Sequence, residues 1–294
     1  MAILREAVLR TAPQDEVWSL EHRSTGCYCS AMNFDDALKH YAPRAWFRFK
    51  FLKYKYFKRG EPEIHVILHL VEPGTTAIDI GCSIGIYAAE MARYAGKVIA
   101  FEANPAVAQF ARAVAPRNVE IVNLALSSAP GRAALKIPRS PKGETIDELA
   151  TIEPGNPLHA SDSDTIQVEM KRLDDMGIAN CSFIKVDVEG HEEGVLDGAS
   201  ALIASQRPVL MIELDESLNK GALARLTARF AALDYRAFFL SQGNLRPVGE
   251  FDPAHHQDPK NLMPRHKLAR GVEYINNFLF VPEKKCWRTL ARIG

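Results

Sequence analysis

Two groups of residues in this chain are spaced to do chemistry. The first is Asp79-Ile80-Gly81-Cys82-Ser83-Ile84-Gly85, followed 21 residues after Gly81 by an acid, Glu102. Glycine lets backbone pass close to a ligand, and a helix opening after such a turn offers unpaired N–H groups. An acid at the end of the following strand can accept both ribose hydroxyls of a nucleoside. A nicotinamide fingerprint needs G-x-G-x-x-G, and Ser83 stands where its second glycine belongs; the Gly-Lys-Ser/Thr of a phosphate loop is absent too. What remains, D-x-G-x-x-x-G, suits a ligand with an amino group and no pyrophosphate, such as S-adenosylmethionine. The second group is Lys185, Asp187, Glu189 and His191, with Glu213 further on. A hydroxyl is a poor nucleophile while protonated, so a base within hydrogen-bond reach helps it react. His191 is the first candidate for that base and Asp187 the second. Three carboxylates near one point are also oxygen donors for Mg²⁺ or Ca²⁺, an alternative ranked below a metal-free site.

These residues must be positioned by secondary structure, and the hydrophobic pattern supplies it. Residues 76–80 (TAIDI), 97–101 (KVIAF), 119–122 (VEIV), 183–188 (FIKVDV) and 208–213 (PVLMIE) are short β-branched runs of the kind buried parallel strands show. Helical periodicity separates most of them, with Ala88, Met91, Ala92 and Ala95 after the first run and Val107, Phe110 and Val114 after the second. The second helix opens at Asn104-Pro105, a cap followed by proline. Val195, Leu196, Ala199, Leu202 and Ile203 share a helical face after the fourth run. Strand and helix alternating in this way predict an α/β fold, a doubly wound, mostly parallel sheet with helices on both faces. Segments 132–137 and 165–173 read as two further strands flanking a polar loop from 138 to 164, either lid or plain surface. Strand-like 235–240 and 277–281 end the sheet, joined by a long segment from about 241 to 273.

Composition narrows the class. The 294 residues carry 36 Lys and Arg against 36 Asp and Glu, so net charge gives no case for nucleic acid or membrane as a partner. No apolar run approaches a bilayer span, and the N-terminal MAILREAVLR is charged too early for a signal-peptide core, so the expected compartment is the cytoplasm. The cysteines Cys27, Cys29, Cys82, Cys181 and Cys286 are too scattered for a zinc or disulfide framework and are expected to be reduced thiols.

In order along the chain, DIGCSIGIYA (79–88), VIAFEANP (98–105), NLALSSAPGRAAL (123–135), RLDDM (172–176), FIKVDVEGHEEGVLDGA (183–199), RPVLMIE (207–213) and NFLFVP (277–282) resemble the signatures of the FkbM-type methyltransferases. The resemblance covers about residues 60–283, and KVDVEGHE is its most specific block. It implies a class I, Rossmann-like fold with strand order 3-2-1-4-5-7-6 and an antiparallel last strand. It also implies S-adenosylmethionine as cofactor and O-methylation of a saccharide or other natural product. On the matched positions, Asp79, Gly81, Ser83 and Gly85 would surround the methionine end of the cofactor, Glu102 its ribose, and Ala103, Asn104 and Asn123 its adenine. Cys82-Ser83 departs from the Ala-Asn more usual in the family. Domain boundaries are expected at 1–59 for a helical extension, 60–283 for the methyltransferase domain and 284–294 for a basic tail.

For the acceptor, the sequence offers Lys185, Glu189 and Glu213 after the fourth and fifth strands, and His255, His256 and Arg265 in the 241–273 connection. Lys185 must be paired, with a neighbouring acid or the cofactor carboxylate, because a buried ammonium left alone is costly. One more segment stands apart: RAWFRFKFLKYKYFKR (44–59) interleaves seven bases with seven aromatics. It reads foremost as an amphipathic helix with snorkelling lysines, and secondly as a contact for an anionic membrane surface or nucleic acid, the latter disfavoured by the balanced charge. Two rival functions remain, a nicotinamide-dependent oxidoreductase and a non-catalytic binder with a vestigial pocket.

Overall fold

β-Branched and aromatic runs buried on both faces build the main sheet. In the computed structural model, which describes residues 34–56, 61–140, 143–156, 162–263, 267–268, 273–286 and 293, the chain divides into two compact units, 1–61 and 62–294. In the first unit, α1 (Phe34–Tyr41) and α2 (Pro43–Tyr56) follow one another, and Lys50 Nζ lies 3.2 Å from the Asp35 carboxylate.

The second unit alternates strands and helices. Its described elements run through α3 (Ile67–Leu70), β1 (Thr76–Ile80), α4 (Ile86–Met91), β2 (Lys97–Glu102), α5 (Pro105–Val114) and β3 (Val119–Asn123). β4 (Ala125–Leu126), β5 (Gly131–Pro138), β6 (Ser163–Lys171), β7 (Cys181–Val186), α6 (Glu192–Asp197), α7 (Ser200–Gln206) and β8 (Val209–Glu213) follow. α8 (Ala222–Ala231), β9 (Tyr235–Ser241), β10 (Asn244–Pro247), α9 (Pro253–His256), the short ladder of β11 (Leu262–Met263) and β12 (Lys267–Leu268), and β13 (Asn277–Pro282) complete it.

The eight-stranded sheet runs β10-β9-β13-β8-β7-β1-β2-β3. β1, β2, β3, β7 and β8 are mutually parallel, and β13 is antiparallel to both β8 and β9. The seven strands of the sequence reading therefore take the expected order 3-2-1-4-5-7-6. β10 is the addition: Gln242 and Gly243, both at positive φ, form a two-residue turn that folds Asn244–Pro247 back onto β9 as an edge strand inside the segment read as a connection.

Alternation along the strands sorts the core. Ile78 and Ile80, Ile184 and Val186, and Leu210 and Ile212 join Val195, Leu196, Ile203, Leu226 and Phe230 of α6–α8 in one buried cluster. All six residues of β7 are buried, Lys185 included, which is why this strand reads as a continuous apolar run. The two segments flanking the polar loop pair antiparallel as β5 and β6, from Gly131 opposite Met170 to Pro138 opposite Ser163, and β4 joins them in a small second sheet.

β1 leaves the sheet through Gly81. Its φ is +79°, and a Cβ built there would sit 1.7 Å from the Asp187 carbonyl oxygen, so the turn requires glycine twice over. Gly85 also has positive φ, +89°, but its Cβ direction is open for 4 Å. Replacing Gly81 by Ala therefore adds a backbone clash of about 1–3 kcal/mol to the left-handed penalty of about 1–2 kcal/mol, whereas Gly85→Ala incurs only the latter. Urea unfolding of the two variants is expected to show Gly81→Ala as the more destabilised.

Candidate functional site

The glycine turn is bonded to the neighbouring strand through one carboxylate. Gly81 and Cys82 donate their N–H groups to the Phe101 carbonyl at 2.9 and 3.0 Å. Ser83 N–H donates to Glu102 Oε2 at 2.9 Å, and Asn104 N–H to Glu102 Oε1 at 2.8 Å. Glu102 thus clamps the turn after β1 to the start of α5, where the Asn104 side chain caps the helix by accepting from Ala106 N–H. Burial pushes the Glu102 carboxyl up to about 7, partly offset by those two N–H donors. Ser83 holds a φ of +48°, unusual for a side-chain-bearing residue, which keeps its N–H turned to Glu102.

The adenine candidates divide. Asn123 gives its amide hydrogens to the Glu102 and Ala103 carbonyls at 2.8 and 3.0 Å, so it braces the end of β2. Ala103 packs against the apolar cluster of the second sheet. Asp79 is buried in mid-sheet, opposite Lys185 in register.

Across the sheet, Lys185 is 2% exposed and donates from Nζ to Asp187 Oδ2 at 2.6 Å, with its ammonium 4.6 Å from the centre of the Tyr87 ring. Of the two partners expected for this lysine, the structure provides the neighbouring acid. Glu189 follows at a φ of +49°. Burial, then the charges of Asp187, Glu192 and Asp215, push its carboxyl well above the usual range. Glu192, in the first turn of α6, is buried, accepts from Gly190 N–H at 2.8 Å, and is pushed up to about 7, chiefly by burial. Among the described residues no group of three or more His, Cys, Asp or Glu side chains is arranged to hold a metal ion.

His191 stands differently from its expected place beside the reacting centre. Its Nδ1 lies 2.8 Å from Glu153 Oε2 and its Nε2 2.9 Å from Ser127 Oγ. A carboxylate only accepts, so Nδ1 carries the hydrogen and Nε2 takes the serine proton. Both ring nitrogens are thereby committed, and the imidazole ties two segments together. Serine, histidine and acid are linked here in the order used to activate a nucleophile, but Ser127 is buried, and the linkage is a brace.

Glu153 belongs to the polar stretch between β5 and β6, whose described part crosses the carboxyl ends of the strands. Asp147 accepts from the Asn104 side chain at 3.2 Å; Thr151 Oγ1 and Asn156 Nδ2 donate to the Glu189 carbonyl at 2.8 and 2.7 Å. One segment therefore touches the cap beyond β2 and the turn beyond β7. Asp147, Thr151, Glu153 and Asn156 had no local signal in sequence, because their partners lie 33 to 43 residues away.

The remaining acceptor candidates are less central. Glu213 accepts from the Asn276 side chain. His255 is exposed, while His256 stacks on Phe251 with ring centres 5.2 Å apart and accepts the Asp252 N–H at Nδ1. Arg265 lies outside the described residues. Next to them Gln257, buried, donates to the Leu214 and Ile275 carbonyls and accepts from Glu216 N–H, so it ties this segment to the chain beyond β8.

Strand order and glycine turn together define a Rossmann-like methyltransferase fold. The methyltransferase FkbM domain matches residues 79–245, more than half of the sequence, and the chain belongs to that family. No curated protein matches it. Among solved structures, methyltransferase FkbM from Methylobacillus flagellatus is similar at 14% identity and a TM-score of 0.46, over 94% of this chain and 57% of that one. This chain thus spans little more than half the length of that relative. Precorrin-6y C5,15-methyltransferase from Geobacter metallireducens is similar at 13% identity and a TM-score of 0.40, over 77% and 90% of the two chains. A TehB-like SAM-dependent methyltransferase from Corynebacterium glutamicum is similar at 11% and 0.38, over 82% and 97%.

Replacing His191 by Ala should cost about 1–3 kcal/mol for the two partners left unmatched. Hydrogen exchange is expected to speed up at the Thr151 and Glu153 amides, whereas deletion of a solvent-facing side chain would leave both unchanged.

Proposed function

We propose that this chain transfers a methyl group from S-adenosyl-L-methionine to a hydroxyl of a saccharide or related metabolite. The observation that carries the reading is the Glu102 clamp. Each carboxylate oxygen accepts one backbone N–H and keeps a further lone pair, so the pair can accept both hydroxyls of a ribose. The open direction above Gly85 leaves room beside it. Asp79, Gly81, Ser83 and Gly85 would hold the amino-acid end, and Ala103 and Asn104 the edge of the base. When bound, the cofactor supplies a sulfonium methyl whose transfer leaves a neutral thioether. Positive charge disappears in the reaction, so placement counts for more than an oxyanion hole; well-oriented reactants gain on the order of 7–11 kcal/mol.

Glu189, rather than His191, is the base in this reading, because the imidazole is committed at both nitrogens. Asp187, held 2.6 Å from Lys185 Nζ, orients the acceptor hydroxyl, while Glu189 in its ionised form, made strongly basic by burial and neighbouring acids, takes up the hydroxyl proton as the new C–O bond forms. A site lined by Asp187, Glu189, Glu192 and Asp215 accepts hydrogen bonds from hydroxyls and repels phosphates, which supports a neutral polyol over a nucleic acid. Methyl-labelled cofactor incubated with a whole-cell extract of the host should leave label on such a compound; label on RNA or protein instead would reject the acceptor class.

Two variants test the roles. Only an ionised Glu102 can accept both hydroxyls while holding both N–H groups. Affinity for S-adenosylhomocysteine should therefore rise as pH passes upward through about 7 and then level off. Glu102→Gln should weaken binding about ten- to hundred-fold and remove that pH dependence in calorimetry. Glu189→Gln should lower kcat on the order of 10²- to 10⁴-fold with the product's affinity preserved; an unchanged kcat would remove Glu189 from the mechanism.

A further inference from the structure

Helix α2 presents an exposed apolar stripe walled by positive charge. Phe49, Leu52 and Tyr56, spaced i, i+3 and i+7 and so on one helical face, are 37%, 49% and 59% exposed. Arg48, exposed, borders the stripe on one side, and Lys53, half-buried, on the other. Across Pro43–Tyr56 there are five bases, Arg44, Arg48, Lys50, Lys53 and Lys55, and no acid. Lys53 lies over the Phe49 ring of the stripe at 5.9 Å, and Lys55, itself buried, lies over Tyr56 at 5.7 Å.

We propose that this face of α2 docks the protein on a bilayer surface of anionic phospholipid. Aromatic and aliphatic side chains that remain exposed on one helical face gain by entering the headgroup–acyl boundary, and flanking bases gain from the negative surface. Among the described residues no helix is long and apolar enough to cross a membrane, so the contact is with the surface. Single-stranded nucleic acid fits less well. Its bases stack on open aromatic planes, and the largest ring of this helix, Trp46, is buried and already has the ammonium groups of Lys39 at 5.3 Å and Lys50 at 4.9 Å from its centre. Leu52, at the centre of the stripe, cannot stack at all.

Flotation of the full chain with vesicles tests this. Vesicles of equal parts phosphatidylcholine and phosphatidylglycerol should carry the protein up, and phosphatidylcholine alone should not. Removing two charges from the rim, Arg48→Gln with Lys53→Gln, should weaken partitioning roughly 30-fold at about one factor of five per base. Removing the same charge elsewhere, Lys97→Gln with Arg132→Gln, should change it less than about two-fold by the same reckoning. Phe49→Ser with Leu52→Ser should abolish the binding that survives high salt, where charge is screened. All three double variants alter exposed or half-exposed side chains, and far-UV circular dichroism checks that each is folded. The proposal is overturned if the wild type ignores anionic vesicles, if the rim pair and the control pair behave alike, or if the serine pair binds as tightly as the wild type. It is equally overturned if single-stranded nucleic acid displaces the protein from vesicles at the same salt, which would assign the face to that partner instead.

Discussion

The clamp made by the Glu102 carboxylate is the contact on which the rest of the site depends. A short bond to Ser83 N–H fixes the turn leaving β1, and another to Asn104 N–H fixes the entry to α5, so the two neighbouring strands end in one rigid corner. The corner is costly. A carboxyl raised from 4.5 to about 7 binds its proton more tightly in the folded than in the unfolded chain, so folding stability from this group declines as pH rises between those values. Two hydroxyl donors placed on the remaining lone pairs would favour the ionised form and offset that cost.

A similar economy operates on β7, the neighbour of β1. Lys185 sits inside a strand whose six residues are all buried, and its charge is balanced by Asp187 two residues on, where the chain leaves the sheet. With that cation used by Asp187, the next acid along, Glu189, feels mainly burial and its acidic neighbours, and its proton is held tightly. Cys82, at the centre of the glycine turn, follows the same rule: burial, with Asp79 and Glu102 nearby, pushes its thiol well up and leaves it an inert filler.

How far the fold could be read in advance follows from the range of the forces involved. Strands buried on both faces announce themselves as β-branched runs, so β1, β2, β3, β7 and β8 were visible, and with them the glycine turn and the acid 21 residues on. β10 was hidden because its pattern is polar and its signal is a single Gln-Gly turn. The partners of His191 are hidden for a related reason: its place after β7 points to the reacting centre, but a side chain's direction depends on partners elsewhere, here Ser127 and Glu153. Lys185 was bounded correctly as paired, since the penalty for a lone buried ammonium is local, while the choice of partner needed coordinates.

The polar stretch between β5 and β6 shows what such long-range contacts achieve. Glu189 and Gly190 both occupy left-handed backbone, φ +49° and +95°, and for a residue with a side chain that conformation costs about 1–2 kcal/mol. Two donors from the stretch, Thr151 Oγ1 and Asn156 Nδ2, converge on the Glu189 carbonyl, and Glu153 holds the next side chain at His191. At about 1 kcal/mol each, these bonds offset the strain that turns Glu189 toward Asp187, Glu192 and Asp215. A segment with no hydrophobic periodicity, and hence no signature in the sequence, therefore sets the backbone conformation of a residue whose carboxyl is pushed well above its usual range. Changes within it act on that carboxylate from a distance, without touching either strand that presents it.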